Sequence, residues 1–217
     1  MHGSNRLGGN SLSDLLVFGR RAGVGAAAYV AGLRGTYPKV SKAALVAAEH
    51  TAVGPFDPPD EATAENPYTL HQELQQTMND LVGIIRKAEE IQQALDKLET
   101  LKKRVRNIGV EGHRQFNPGW HLALDLRNML AVSECVARAA LQRQESRGGH
   151  TRDDFPKMDT HWRQLNLICV AAGDGIAVVE QPLTPMRRDL LDLFERDELA
   201  KYMSDVELAD LAIEEKT

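Results

Sequence analysis

Between Leu70 and Ile108 the apolar residues recur in steps of three and four: Leu70, Leu74, Met78, Leu81, Ile85, Ala88, Ile91, Leu95, Leu98, Leu101, Val105 and Ile108. That period belongs to a helix with one apolar side, not to a strand. Asn66-Pro67 precedes it, a capping side chain followed by a ring already set for the first helical turn. As one helix the stripe would run about 58 Å at 1.5 Å per residue, longer than a small domain is wide. A break near Lys87-Ala88 and an antiparallel pair are therefore expected. Asn117-Pro118 repeats the start signal and opens a third helix reaching to about Glu145. Leu122, Leu124, Leu126, Met129, Leu130, Val132, Val136 and Leu141 put apolar groups on several of its faces, so it should be the most buried of the three. The fold class is mainly α: a three-helix up-down bundle, preceded by the tail of another domain and followed by a small hairpin-containing subdomain.

The flanking segments differ in character. From Asp14 the sequence turns helical, but Gly19, Gly23, Gly25 and Ala26 to Ala28 leave that helix almost without side chains. Each internal glycine costs roughly 1 kcal/mol against alanine, so such a helix is expected to pack closely against a sheet or a cofactor. Pro38, Pro55, Pro58, Pro59 and Pro67 mark the stretch from Gly32 as a connection, with room for one short helix between Lys39 and Ala52. Beyond Gly148-Gly149, residues 166–179 read as a β-hairpin around Gly173-Asp174-Gly175. The tail is acidic and helical, with Ser204 to Glu207 as a capping box. The expected organisation is 1–35, 36–65 as linker, 66–147 as bundle and 148–217 as a small α+β subdomain.

Composition narrows the function classes. In 217 residues, 42% are apolar and 26% charged, which excludes a disordered or collagenous chain. The longest nearly charge-free run, Ala22 to Tyr37, is too short and too glycine-rich to cross a bilayer, and no signal peptide is readable. A net charge of -5 with 5% aromatics argues against nucleic-acid binding. Cys135 and Cys169 sit in unrelated contexts with no CxxC, so neither a disulfide framework nor a zinc site is expected, and the histidines show no metal-ligand spacing.

Two patches are dense in chemistry. The first is His2-Gly3-Ser4-Asn5-Arg6-Leu7-Gly8-Gly9-Asn10-Ser11-Leu12. Arg6 stands on a backbone with little side-chain cover, which suits bidentate capture of a carboxylate or phosphate. Ser11 and Leu12 lie at a helix start, where free N–H groups favour negative charge. A glycine-rich turn with a solvent-facing arginine is the plain alternative. The second patch, Glu145 to Pro156, alternates charge around Gly148-Gly149. An ion-pair network is favoured there over a phosphate site using Arg147, His150 and Arg152. The basic run Lys102-Lys103-Arg104 with Arg106 reads as a solvated face, with contact to an acidic partner as the other option.

The first patch, followed by Val17-Phe18-Gly19-Arg20, resembles the succinate dehydrogenase and fumarate reductase flavoprotein subunit, and Glu145 to Pro156 resembles that family's second signature. L-aspartate oxidase is the nearest relative to exclude, and Gly8-Gly9 favour the succinate/fumarate branch. The resemblance implies an FAD enzyme in which Arg6 clamps a carboxylate of the dicarboxylate substrate. Ser11 and Leu12 would meet the flavin ring through backbone groups, with His2, Asn5 and Asn10 near the site. No GxGxxG, capping domain, proton-transferring arginine or flavin-attachment histidine is present, so the chain looks like the C-terminal third of such a subunit, inactive alone. The implied partners are the iron–sulfur subunit and, through it, membrane anchor subunits, on the cytoplasmic side of the membrane. A docking module for the iron–sulfur subunit is the alternative from another class.

Overall fold

The computed structural model describes residues 9–173, 175–184, 187–191, 193–201 and 203–214. They are mainly helical, and the chain divides into two compact units, residues 1–52 and 53–217.

In the first unit, α1 (Asn10–Gly32) is entered through Gly9 at φ 80°, with no side chain capping it. Leu12, Leu15, Leu16, Val17 and Phe18 are exposed. Among the described residues, no atom comes within 4 Å of a Cβ built at Gly19, Gly23 or Gly25. The close partner that so many small residues predict is not supplied here. Helix α2 (Lys42–Val53) fills the short helix expected after Lys39, and the Ser41 hydroxyl accepts from Ala44 N–H at its start.

The second unit is built on α3 (Pro67–Leu81), α4 (Ala88–Arg104) and α5 (Pro118–Gln142), each in contact with the other two. Both Asn-Pro signals act as expected: Asn66 accepts from Tyr68 N–H at 2.8 Å and Asn117 from Trp120 N–H at 3.0 Å. Leu70, Leu74, Ile91, Leu98, Leu101, Val105 and Ile108 from the periodic stripe are buried.

Two readings of that pattern need correction. Ile85 is exposed, because the break spans residues 82–87 and Val82 takes the core position instead. Helix α5 is apolar on several faces for a different reason than general burial. Ala123, Leu126, Leu130, Ala137 and Ala140 face the core, a hairpin covers another side, and Val132 and Val136 stay exposed.

The break holds β1 (Ile85–Arg86), which pairs in parallel with β2 (Thr151–Arg152) within the second charged patch. After α6 (Thr160–Arg163), strands β3 (Leu165–Ala172) and β4 (Gly175–Pro182) form the antiparallel hairpin, in register from Leu165↔Pro182 to Ala172↔Gly175. Gly173 at φ 59° supplies the left-handed turn position such a tight loop requires. Short helices α7 (Arg188–Leu191) and α8 (Arg196–Leu199) lead to α9 (Asp205–Glu214). Its capping box is present: Ser204 N–H donates to Glu207 at 2.6 Å, and Glu207 N–H to the Ser204 hydroxyl at 3.4 Å.

The second half of the expected 36–65 linker belongs to this unit. Two 3-10 turns, Gly54–Phe56 and Glu61–Thr63, replace the irregular chain its prolines predict. Val110 N–H donates to Pro55 O at 2.8 Å, while Glu65 N–H donates to Asn107 O and Gly109 N–H to Glu65 O. Prolines exclude long elements without preventing a chain from being tied down through its carbonyls.

Gly109 allows that approach, because a Cβ there would lie 2.8 Å from the Ala64 Cβ. Gly109→Ala is expected to destabilise the second unit by about 1–3 kcal/mol, read from the urea midpoint by far-UV circular dichroism. An unchanged midpoint would show that the contact is not tight.

Candidate functional site

Of the residues expected to meet substrate and cofactor, His2, Asn5 and Arg6 lie outside the described residues, and Asn10 is described only through its backbone. Ser11 and Leu12 fall in the first turn of α1. Leu12 N–H donates to Gly9 O at 3.0 Å and Ser13 N–H to the same oxygen at 3.5 Å, so the helix closes on Gly9 from its first residues. Ser11 is half-buried and the Leu12 side chain is 66% exposed. The turn presents the positive end of a 23-residue helix, unobstructed by a side-chain cap.

The second charged patch closes the C-terminal end of α5. Arg152 is 1% exposed. Its Nη1 donates to the carbonyls of Ala140 at 2.7 Å, Leu141 at 3.0 Å and Arg143 at 3.2 Å, which satisfies the orphan end of the helix. Its Nε and Nη2 hold Asp154 bidentately at 2.8 and 2.7 Å. Asp154 in turn accepts from Ala88 N–H at 3.0 Å, at the start of α4. The hydrogen bond from the Arg152 guanidinium pulls the Asp154 carboxyl down to about 2, against the opposing effect of burial.

Glu145, with no exposed surface, accepts from Arg143 at 2.7 Å, Arg147 at 3.0 Å and Asp159 N–H at 3.0 Å. Arg147 also reaches Glu207 of α9 at 3.1 Å and the Asp159 carbonyl at 3.0 Å. His150 lies between Arg86 Nη1, 3.0 Å from its Nδ1, and the Arg143 carbonyl, 3.1 Å from its Nε2. A guanidinium can only donate, so Nδ1 carries no proton and Nε2 does. Burial, then the charges of Arg86, Arg152 and Arg143, push the His150 pKa down, while its bond to the Arg143 carbonyl works the other way.

Among the described residues, no buried side-chain nitrogen or oxygen lacks a partner. The patch is therefore a structural network, and the phosphate site on Arg147, His150 and Arg152 is set aside. Arg86, Arg143, Asp159 and Glu207 do not stand out in the sequence as members of it. Only Glu207 leaves a trace there, through its capping box, and nothing in the spacing marks its second role.

The basic run on α4 divides. Lys103 and Arg106 are exposed, as a solvated face requires. Lys102 instead pairs with buried Glu134, and Arg104 joins Glu65 to Glu73. Burial works to raise the Glu134 pKa, but hydrogen bonds from Lys102 and Arg138 overcome it and the net shift is downward. Lys102, Glu134 and Arg138 line a groove of about 570 Å³ between α4, α5 and β4. Among the described residues, no cluster of three His, Cys, Asp or Glu is placed to hold a metal, and no helix is long and apolar enough to cross a membrane.

Residues 71–192, more than half of the chain, match the family described as fumarate reductase flavoprotein C-term. The chain is 34% identical over 171 residues to the succinate dehydrogenase flavoprotein subunit of Coxiella burnetii, covering 73% of this chain and 27% of that protein. It is 34% identical over 182 residues to the fumarate reductase flavoprotein subunit of Mycobacterium tuberculosis, covering 81% and 30%. Among solved structures, Mycobacterium smegmatis Sdh1 in complex with UQ1 superposes with a TM-score of 0.84 at 64% identity, over 96% of this chain and 35% of that one. The chain thus spans roughly a quarter to just over a third of the length of these relatives.

The network makes two predictions. Because the folded-state pKa of His150 is depressed, its stabilising contribution is fully present above the unfolded value of about 6.5 and is lost as pH falls through the lower folded value. The melting temperature should therefore drop between pH 7 and pH 5, with a smaller drop in His150→Gln. Equal slopes would mean that His150 is not the titrating group. Arg152→Gln leaves the carbonyls at the end of α5 without their donor and should cost about 1–3 kcal/mol in chemical denaturation; a loss below about 0.5 kcal/mol would contradict the assigned role.

Proposed function

The chain belongs to the succinate dehydrogenase/fumarate reductase flavoprotein family, as the C-terminal portion of that subunit, and from that premise we propose that it completes the substrate end of an FAD-dependent enzyme interconverting succinate and fumarate. The observation that carries this reading is the start of α1, where a glycine at φ 80° admits a helix with no side-chain cap. It occurs in a chain that follows Sdh1 over 96% of its length.

The residues present fit FAD at that turn. Among the described residues nothing lies within 4 Å of a Cβ built at Gly9, which leaves room there for a planar ring to approach the backbone. Bound there, FAD supplies the two-electron acceptor for a CH–CH donor. Backbone groups at Ser11 and Leu12 would hold the ring, and the positive end of α1 would favour negative charge on it. Arg6 grips one carboxylate of the substrate and fixes the carbon skeleton against the ring. His2, Asn5 and Asn10 complete the surroundings without a chemical step of their own.

In this reading residues 1–35 are the tail of the FAD-binding domain, whose sheet covers the glycine-rich side of α1. Residues 66–147 form the up-down bundle, and 148–217 the small subdomain that ties its end. The chain alone is inactive, because the proton-transferring arginine and the dinucleotide-binding glycines belong to the part of the subunit that it does not span. Electrons leave to an iron–sulfur subunit, and membrane anchor subunits are reached through it, which places the protein peripherally on the cytoplasmic side.

In the flavin-loaded complete subunit, Arg6→Gln should lower kcat/KM for succinate by at least about 100-fold while the flavin absorbance is retained. Unimpaired turnover would show that Arg6 is not the clamp. L-aspartate oxidation exceeding succinate oxidation by the unaltered subunit would move the assignment to the L-aspartate oxidase branch.

A further inference from the structure

Cys135 and Cys169 are 34 residues apart, in α5 and β3, and their sequence contexts offer no reason to pair them. The fold brings them together. The Cys169 thiol donates to the Cys135 carbonyl at 3.7 Å. Both are free and half-buried. Cys169 shares its face of β3 with Leu165 and Leu167, whose alternating burial marks the side turned toward α5. Its ladder partner Val178 lines the groove beside Glu134 and Arg138, the residues close to Cys135 on α5. A helix and a strand thus bring the two cysteines into contact from elements that pack as regular structure.

We propose that Cys135 and Cys169 form a peroxide-oxidisable dithiol that closes to a disulfide and pins the β3–β4 hairpin onto α5. One thiolate attacks the O–O bond of a hydroperoxide, forming an S–O bond and releasing water (or the alcohol) once its proton is counted. The second thiol then attacks that sulfur, the S–O bond breaks, a second water leaves and the S–S bond forms. The two electrons pass from the sulfur pair to the peroxide, and a dithiol reductant reverses the change. Burial, then the neighbouring Cys135 thiol, push the Cys169 pKa up, so closure should quicken as pH rises.

The test treats the 217-residue chain with hydrogen peroxide, blocks remaining thiols and maps peptides by mass without reduction. The expected product is one linked peptide pair carrying both cysteines, lighter by about 2 Da and separated by dithiothreitol. In concentrated urea its yield should fall several-fold, because proximity is lost. Cys135→Ser should leave Cys169 as a sulfenic acid that dimedone captures, with circular dichroism confirming that the variant is folded. Independent oxidation to sulfinic acids, no reaction at either thiol, a link only between chains, or equal yield in urea would each overturn the proposal.

Discussion

The second unit depends on one ion pair, between buried Arg152 and exposed Asp154, that closes two helices at once. Arg152 caps the carbonyl end of α5 while its partner Asp154 caps the N–H end of α4. Each charge meets the helix end of opposite polarity, so the macrodipoles add to the pairing. An ion pair with one exposed partner is by itself weak evidence of stability. This one also satisfies backbone groups that would otherwise be stranded, and it does so at the junction of the α3–α4 break with the chain leaving α5. The two-residue β1–β2 pairing fixes that junction, with Asp153 N–H donating to Arg86 O at 2.9 Å.

The remaining charged side chains extend the same logic. Arg143 reaches back from the end of α5 to the carbonyls of Trp162 and Leu165, both at 2.8 Å, and so sets where the hairpin begins. Arg147 links Glu145 to Glu207 and brings α9 onto the network. Arg104 does comparable work at the other end of α4, holding Glu65 against Glu73. Polar clusters thus replace apolar area wherever loops must be held. The first unit has no such arrangement among its described residues: α1 is exposed along most of its length.

Much of the fold was legible because its signals are local. Asn66-Pro67, Asn117-Pro118, the Gly173 turn and the Ser204–Glu207 box each act within one turn of chain, and each is where the pattern put it. The pattern failed where a long-range contact decided. Ile85 keeps the helical spacing but belongs to a strand whose partner lies 66 residues later. Val132 and Val136 look like core, yet the faces of α5 that are covered were set by α3, α4 and the hairpin. The ordered turns around Pro55 and Glu65 have the same origin, because those residues are held by Asn107, Gly109 and Val110.

The candidate site divides along the same line. Residue identity alone carried the family and the proposed roles of Arg6, Ser11 and Leu12, since glycines, an arginine and a helix start in that order are a local chemical statement. It could not tell an anion site from a closed network at Arg147, His150 and Arg152, because that depends on whether distant carboxylates and carbonyls arrive to occupy the guanidinium groups. The sequence by itself determined the helices, their caps and the hairpin, through interactions of short range. Only the tertiary structure decided which charges are buried, which apolar faces are covered, and that Cys135 meets Cys169, because each requires residues far apart along the chain to share one small volume.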